Sequence, residues 1–109
     1  MTPSLSFAVS DVTAINNLTT TPIVVIGPNA SRIGITFHNP GSIDTVVFPT
    51  EVLQGGVSVP LTPNVATLGG GFLLPQGATL FMGGRIARQQ WQALAMNGTN
   101  NPLTITEQT

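Results

Sequence analysis

Cysteine, lysine and tyrosine are all missing from this chain, and charge of either sign is scarce. Without cysteine there is no disulfide frame and no thiolate metal site. Without lysine the only cations are Arg32, Arg85 and Arg88, set against Asp11, Asp44, Glu51 and Glu107. Charged residues make up 6% of the chain, where an ordinary soluble protein carries about 25%. Three dispersed arginines do not neutralise a phosphate backbone, which takes several clustered cations, so nucleic acid is not an expected partner. A polybasic membrane patch is excluded on the same ground. Apolar runs end after four or five residues, far short of a membrane span. The opening stretch MTPSLSFAVSDV has neither a basic segment nor a long apolar one, so no signal peptide is expected.

Catalytic chemistry is also thinly supplied. His38 is the only histidine, and one imidazole without thiolates makes no zinc set. It precedes Asn39-Pro40, where a polar side chain capping a turn is the ordinary role; Asp44 is placed to approach it across that turn. The four acids are scattered, with no pair to flank a glycosidic bond. The glycine clusters at 55–56, 69–71 and 83–84 lack the Lys-Ser/Thr of a phosphate loop. No catalytic residue, cofactor site or metal site is therefore expected, and the chain reads as non-enzymatic.

What is present is a β pattern. The 109 residues suffice for one domain, and 41% hydrophobic residues allow a packed core. Twelve glycines and nine prolines argue against long helices. Between them lie short runs of β-branched and aromatic residues, the signature of a sandwich or barrel. Ile23–Ile26 is a strand closed by Gly27-Pro28-Asn29. Ile33, Ile35 and Phe37 alternate with Gly34, Thr36 and His38, placing the first three on one face. The turn Asn39-Pro40-Gly41-Ser42 leads to Thr45–Phe48 as a partner strand. Val52-Leu53 and Val57-Ser58-Val59 flank Gln54-Gly55-Gly56 as a small hairpin. Phe72–Leu74, Ala78–Met82, Gln90–Met96 and Leu103–Glu107 complete the set, with Leu103 and Ile105 facing inward. Residues 85–96 read as strand, with a short helix as the alternative.

The expected fold is therefore a small antiparallel all-β sandwich of about seven or eight short strands, with jelly-roll connectivity left open. Residues 1–20 read as an N-terminal arm with an edge strand, and 21–109 as the sandwich, with 49–71 projecting as a long excursion. Such excursions are usually functional or mobile. Sandwich edges are commonly blunted by lysine, and none is present, so coverage by neighbours is expected. Net charge near zero, −1 here, also promotes self-association. Trp91 reads as core, with a sugar-stacking platform as the alternative. Arg85 and Arg88 are either a docking spot for an acidic partner or solvated side chains beside a turn.

In order along the chain, Ser31–Gly41, Thr45–Phe48, Leu74–Leu80, Trp91–Ala95 and Leu103–Glu107 resemble a group of small tailed-phage virion proteins. The shared pieces are an arginine-led strand ending in Asn-Pro, a Pro-x-Gly turn before a strand, a Trp-x-Ala strand and a closing Leu-x-hydrophobic-x-Glu strand. The resemblance covers residues 31–48 and 72–107. It implies a structural component of the virion, a capsid decoration or cement protein on the capsid surface. Proteins of that kind are often trimers and bridge neighbouring major capsid subunits. A head-fibre base or tail accessory protein is the alternative, and a carbohydrate- or receptor-binding module a second. The parts expected to reach neighbours are Phe7, Val9, Val12 and Ile15 in the arm, Val52, Leu53 and Val57 in the excursion, and Arg85 and Arg88. Deleting residues 1–15 is expected to abolish particle binding and leave the sandwich folded.

Overall fold

A computed structural model describes residues 10–65 and 71–109. Ten strands follow one another: β1 (Ser10–Leu18), β2 (Ile23–Ile26), β3 (Gly34–His38), β4 (Thr45–Pro49), β5 (Glu51–Gln54), β6 (Val57–Pro60), β7 (Phe72–Leu74), β8 (Thr79–Gly83), β9 (Trp91–Ala95) and β10 (Asn101–Gln108). A short 3-10 helix, Gly84–Arg88, joins β8 to β9. Eight strands form the sandwich, one sheet ordered β1-β10-β3-β8 and the other β2-β9-β4-β7, while β5 and β6 pair only with each other. The hairpin therefore raises the expected seven or eight strands to ten.

The pairing is nested: β1 with β10, β2 with β9, β3 with β8 and β4 with β7, all antiparallel. A long hairpin rolled up so that successive strand pairs alternate between sheets gives this order, which is jelly-roll connectivity. One local expectation is corrected by it. β3 and β4 are both strands, but they lie in different sheets and do not pair. Asn39 turns the chain over the end of the sandwich instead. Its Nδ2 donates to Ile43 O at 2.8 Å and to Leu74 O at 2.9 Å, and its Oδ1 accepts from Gly41 N at 3.0 Å. The turns at Pro75–Gly77 and Asn97–Asn100 likewise carry the chain from one sheet to the other.

The strand periodicity decides what lies between the sheets. Ile35 and Phe37 of β3, Leu103 and Ile105 of β10, Val47 of β4, and Trp91, Ala93 and Ala95 of β9 are all buried together. Trp91 is 0% exposed and packs on Phe37 across the core, with ring centroids 4.9 Å apart. Its Nε1 donates to Ile86 O at 3.1 Å, so the indole is both buried and satisfied. Ile33 departs from its expected place: it precedes β3 at the sheet's end, where its backbone N donates to Gln108 O, and its side chain is half in water.

The opposite face of the second sheet is covered too. Val46, Phe48 and Leu94 form a second small cluster, closed by Leu61 and Met96. Residues 61–63 thus fold back on the sheet, with Pro63 buried, and 51–60 form the projecting hairpin of the expected excursion, of which 66–70 lie outside the described residues. Residues 10–18, within the segment read as an arm, are the edge strand β1, held in register with β10. Deleting 1–15 would remove six of its nine residues and so damage the sheet, which corrects that expectation.

Candidate functional site

Arg32 shows how this chain uses charge. Its side chain is 1% exposed, placed just before β3. Nε donates to Glu107 Oε2 at 2.8 Å, Nη1 to Ala87 O at 2.7 Å and Gln89 O at 3.0 Å, and Nη2 to Gly27 O at 2.8 Å. The planar fork of five N–H donors suits this role, since one side chain can tie several chain segments at fixed angles. Here it joins the end of β2, the link from the 3-10 helix to β9, and β10. Glu107 is mostly buried as well, and this is the one ion pair among the described residues. Arg32 was legible only as a cation in a strand motif; its burial depends on four carbonyl and carboxylate partners, of which only Gly27 is near it in sequence. These polar contacts close the end of the sandwich.

The other polar residues behave in the same way. His38 Nδ1 lies 2.9 Å from Thr79 Oγ1 on β8, and not on Asp44 as the turn reading placed it. Buried Asn101 donates to Leu18 O and Asn97 O. Among the described residues no three of His, Cys, Asp and Glu gather as a metal site. None of their helices is long and apolar enough to cross a membrane.

The apolar surface is more informative. In the β5–β6 hairpin, Val52 pairs with Val59 and Gln54 with Val57, so these four side chains share one face. Leu53 and Ser58 lie on the other. Gly55 and Gly56 both have positive φ, +58° and +82°, as a two-residue type I′ turn demands. Leu53 is 68% exposed and Val57 64%, while Val52 is half-buried. No charged residue occurs between Glu51 and Arg85. The hairpin's base is anchored to β9: Thr50 N donates to Gln90 O, and Thr50 Oγ1 accepts from Gln90 and Gln92 Nε2. An open cleft beside it is lined by Pro28, Thr50, Glu51, Gln89 and Gln90.

The remaining expected contact residues do not lie on this hairpin. Phe7 and Val9 lie outside the described residues. Val12 is exposed on β1, on the outer face of the first sheet, whereas Ile15 turns inward and packs against the main core. Arg85 and Arg88 are exposed on the 3-10 helix, and Arg88 Nε donates to Arg32 O at 3.2 Å, which makes Arg88 partly a structural prop. Trp91, being fully buried, cannot be a sugar platform.

The outer face of the first sheet holds what the sequence reading missed. In register across four strands, one row reads Val12, Thr106, Thr36, Phe81 and the next Ala14, Thr104, His38, Thr79. Phe81 is 58% exposed. The signal was present: Leu80 and Met82 face the core, so Phe81 between them had to face out.

By architecture this is a small all-β sandwich whose described surface is hydroxyl-rich, sparsely charged and marked by an apolar hairpin. Comparison with known protein families, curated proteins and solved structures returns no match.

Proposed function

We propose that this chain is a non-enzymatic structural component of a phage virion, a capsid decoration or cement protein that stabilises contacts between major capsid subunits. It acts on the capsid surface as a homo-oligomer, with a trimer the expected form. The observation that carries this reading is the β5–β6 hairpin. An isolated two-stranded hairpin is marginal in water, and this one holds leucine and valine in solvent with a single carboxylate, Glu51, at its foot. Such a feature is stabilised by docking on another protein, where its open strand edges and apolar side chains are both covered. The scarcity of charge supports the same reading, since hydroxyls cost less than ions to take out of water. Many copies on a lattice turn a modest contact into firm attachment. The fold is compatible with it, because jelly rolls serve in viral capsids, although a fold alone assigns no function. A head-fibre base or tail accessory protein would use the hairpin in the same way on a different partner.

The test is co-sedimentation of the protein with undecorated phage capsids, alongside its native mass. The wild type is expected to co-sediment as a stable oligomer, and the Leu53→Ser, Val57→Ser double variant to stay in the supernatant while remaining folded. A monomer that ignores capsids would remove this reading.

A further inference from the structure

Phe81 rests on the outer face of the first sheet in an unusual way. A Cβ built on Gly34 would meet Phe81 Cε1 at 2.8 Å and Cζ at 3.1 Å, and one built on Gly83 would meet Cε2 at 3.4 Å and Cζ at 3.6 Å. Gly34 and Gly83 are directly opposite each other on β3 and β8. The tip of the Phe81 ring therefore sits over the Gly34–Gly83 pair, where a side chain at residue 34 would collide with it. Gly34 is buried there, as backbone beside an aromatic neighbour is when a glycine leaves it bare. The ring does more than cover glycine, since Phe81 keeps 58% of its surface in water.

What surrounds the exposed ring is neutral and hydrogen-bonding. Thr36 is directly opposite Phe81, His38 and Thr79 form the next pair along the strands, and Gln108 Oε1 comes within 3.2 Å of the Gly34 Cβ position. Hydroxyl, imidazole and amide groups both donate and accept, as sugar hydroxyls do. No Asp, Glu, Lys or Arg shares this face on the described part of β1, β10, β3 and β8. A charged partner would find nothing there to neutralise it.

We infer that this face binds a neutral oligosaccharide, with one sugar ring stacked on Phe81 and its hydroxyls bonded by Thr36, Thr79, His38 and Gln108. The C–H bonds on the flat side of a pyranose are weakly positive, and they complement the negative π face of the phenyl ring. The face is small for a second copy of the chain. Its strands of nine, eight, five and five residues cover roughly 400 Å², against the roughly 800 Å² per partner that a stable protein interface takes. The inference is independent of the hairpin and of the capsid reading, since it uses a different sheet and a different ligand.

The experiment is an NMR titration of the isotope-labelled full chain with maltohexaose, cellohexaose and chitohexaose, each to about 10 mM, which detects even weak binding. Saturable shifts are expected at the amides of Thr36 and Leu80–Gly83 with at least one of the three. Phe81→Ala is expected to weaken binding about tenfold, the upper end of one aromatic contact, and Phe81→Trp to retain or tighten it. Thr36→Glu, which leaves the ring and the glycine pair beneath its tip in place, is expected to weaken it as well and serves if Phe81→Ala does not fold. Leu53→Ser is expected to leave the titration unchanged. No saturable shift with any of the three sugars, or shifts that survive both Phe81→Ala and Thr36→Glu, would overturn the inference. So would a concentration-dependent dimer that Phe81→Ala abolishes, because the face would then be an interface between copies.

Discussion

Around Arg32 the sandwich buries its largest polar side chain, whereas at the β5–β6 hairpin it leaves leucine and valine in water. Both arrangements are costly in isolation, and the difference lies in what compensates. Every Arg32 donor named above has a partner within the chain, at 2.7 to 3.0 Å. A buried charge that is paired and fully hydrogen-bonded is tolerated; one that is left alone is not. The exposed apolar groups of the hairpin have no such internal compensation, because β5 and β6 pair only with each other and join neither four-stranded sheet. Polar groups buried and satisfied close the fold, and apolar groups exposed and unsatisfied open it toward something else.

That contrast can be broken at its strong end first. Arg32→Ala leaves Glu107 and three carbonyls without their donor and is expected to cost about 3–5 kcal/mol, read as a lowered urea midpoint. An unchanged midpoint would mean that the staple is decorative. Asn39→Ala removes the donor shared by Ile43 O and Leu74 O at the crossover turn, and a loss of about 1–3 kcal/mol is expected from the orphaned carbonyls. Glu107→Gln keeps an acceptor for Arg32 Nε while removing the negative charge, so a smaller loss of about 1–2 kcal/mol should appear in the same assay.

The weak end is tested by excision. Leu61 N donates to Thr50 O at 3.0 Å, so the two residues that bracket the hairpin are already bonded to each other. Replacing residues 51–60 by Asn-Gly should therefore change stability by less than about 1 kcal/mol, and the circular-dichroism melting curve should keep its cooperativity. A collapsed or broadened melt would show that the hairpin belongs to the core. Amide hydrogen exchange sharpens the comparison without mutation: β5 and β6 should exchange fastest among the strands, and β3, β4, β9 and β10, each paired on both sides, slowest.

Much of this architecture was readable along the chain, for local reasons. Short β-branched runs bounded by Gly, Pro and Asn marked nearly every strand, and Gly55-Gly56 marked the hairpin, because I′ geometry needs two positive φ angles. The inward parity of Ile35, Phe37, Leu103 and Ile105 follows from a period of two. The candidate surfaces were half legible. Leu53 and Val57 stood out as apolar residues beside a tight turn, whereas Trp91 drew attention as the lone tryptophan and is core. Phe81 carried no mark except its parity.

Sequence alone determined that this protein is all-β, roughly where most of its strands lie, and that charge is too scarce to dominate its contacts; residues 85–88, within a stretch read as strand, belong to the 3-10 helix. Tertiary structure decided which strands pair. The Asn39–Ser42 turn has the same residues whether it closes a hairpin or carries the chain to the other sheet, and long-range partners such as Leu74 O make that choice. It also decided that Arg32 is a staple and that Phe81 rests on glycine. The carbonyls of Gly27, Ala87 and Gln89 converge on the guanidinium only once the sandwich closes, and Gly34 and Gly83 come opposite each other only once β3 pairs with β8.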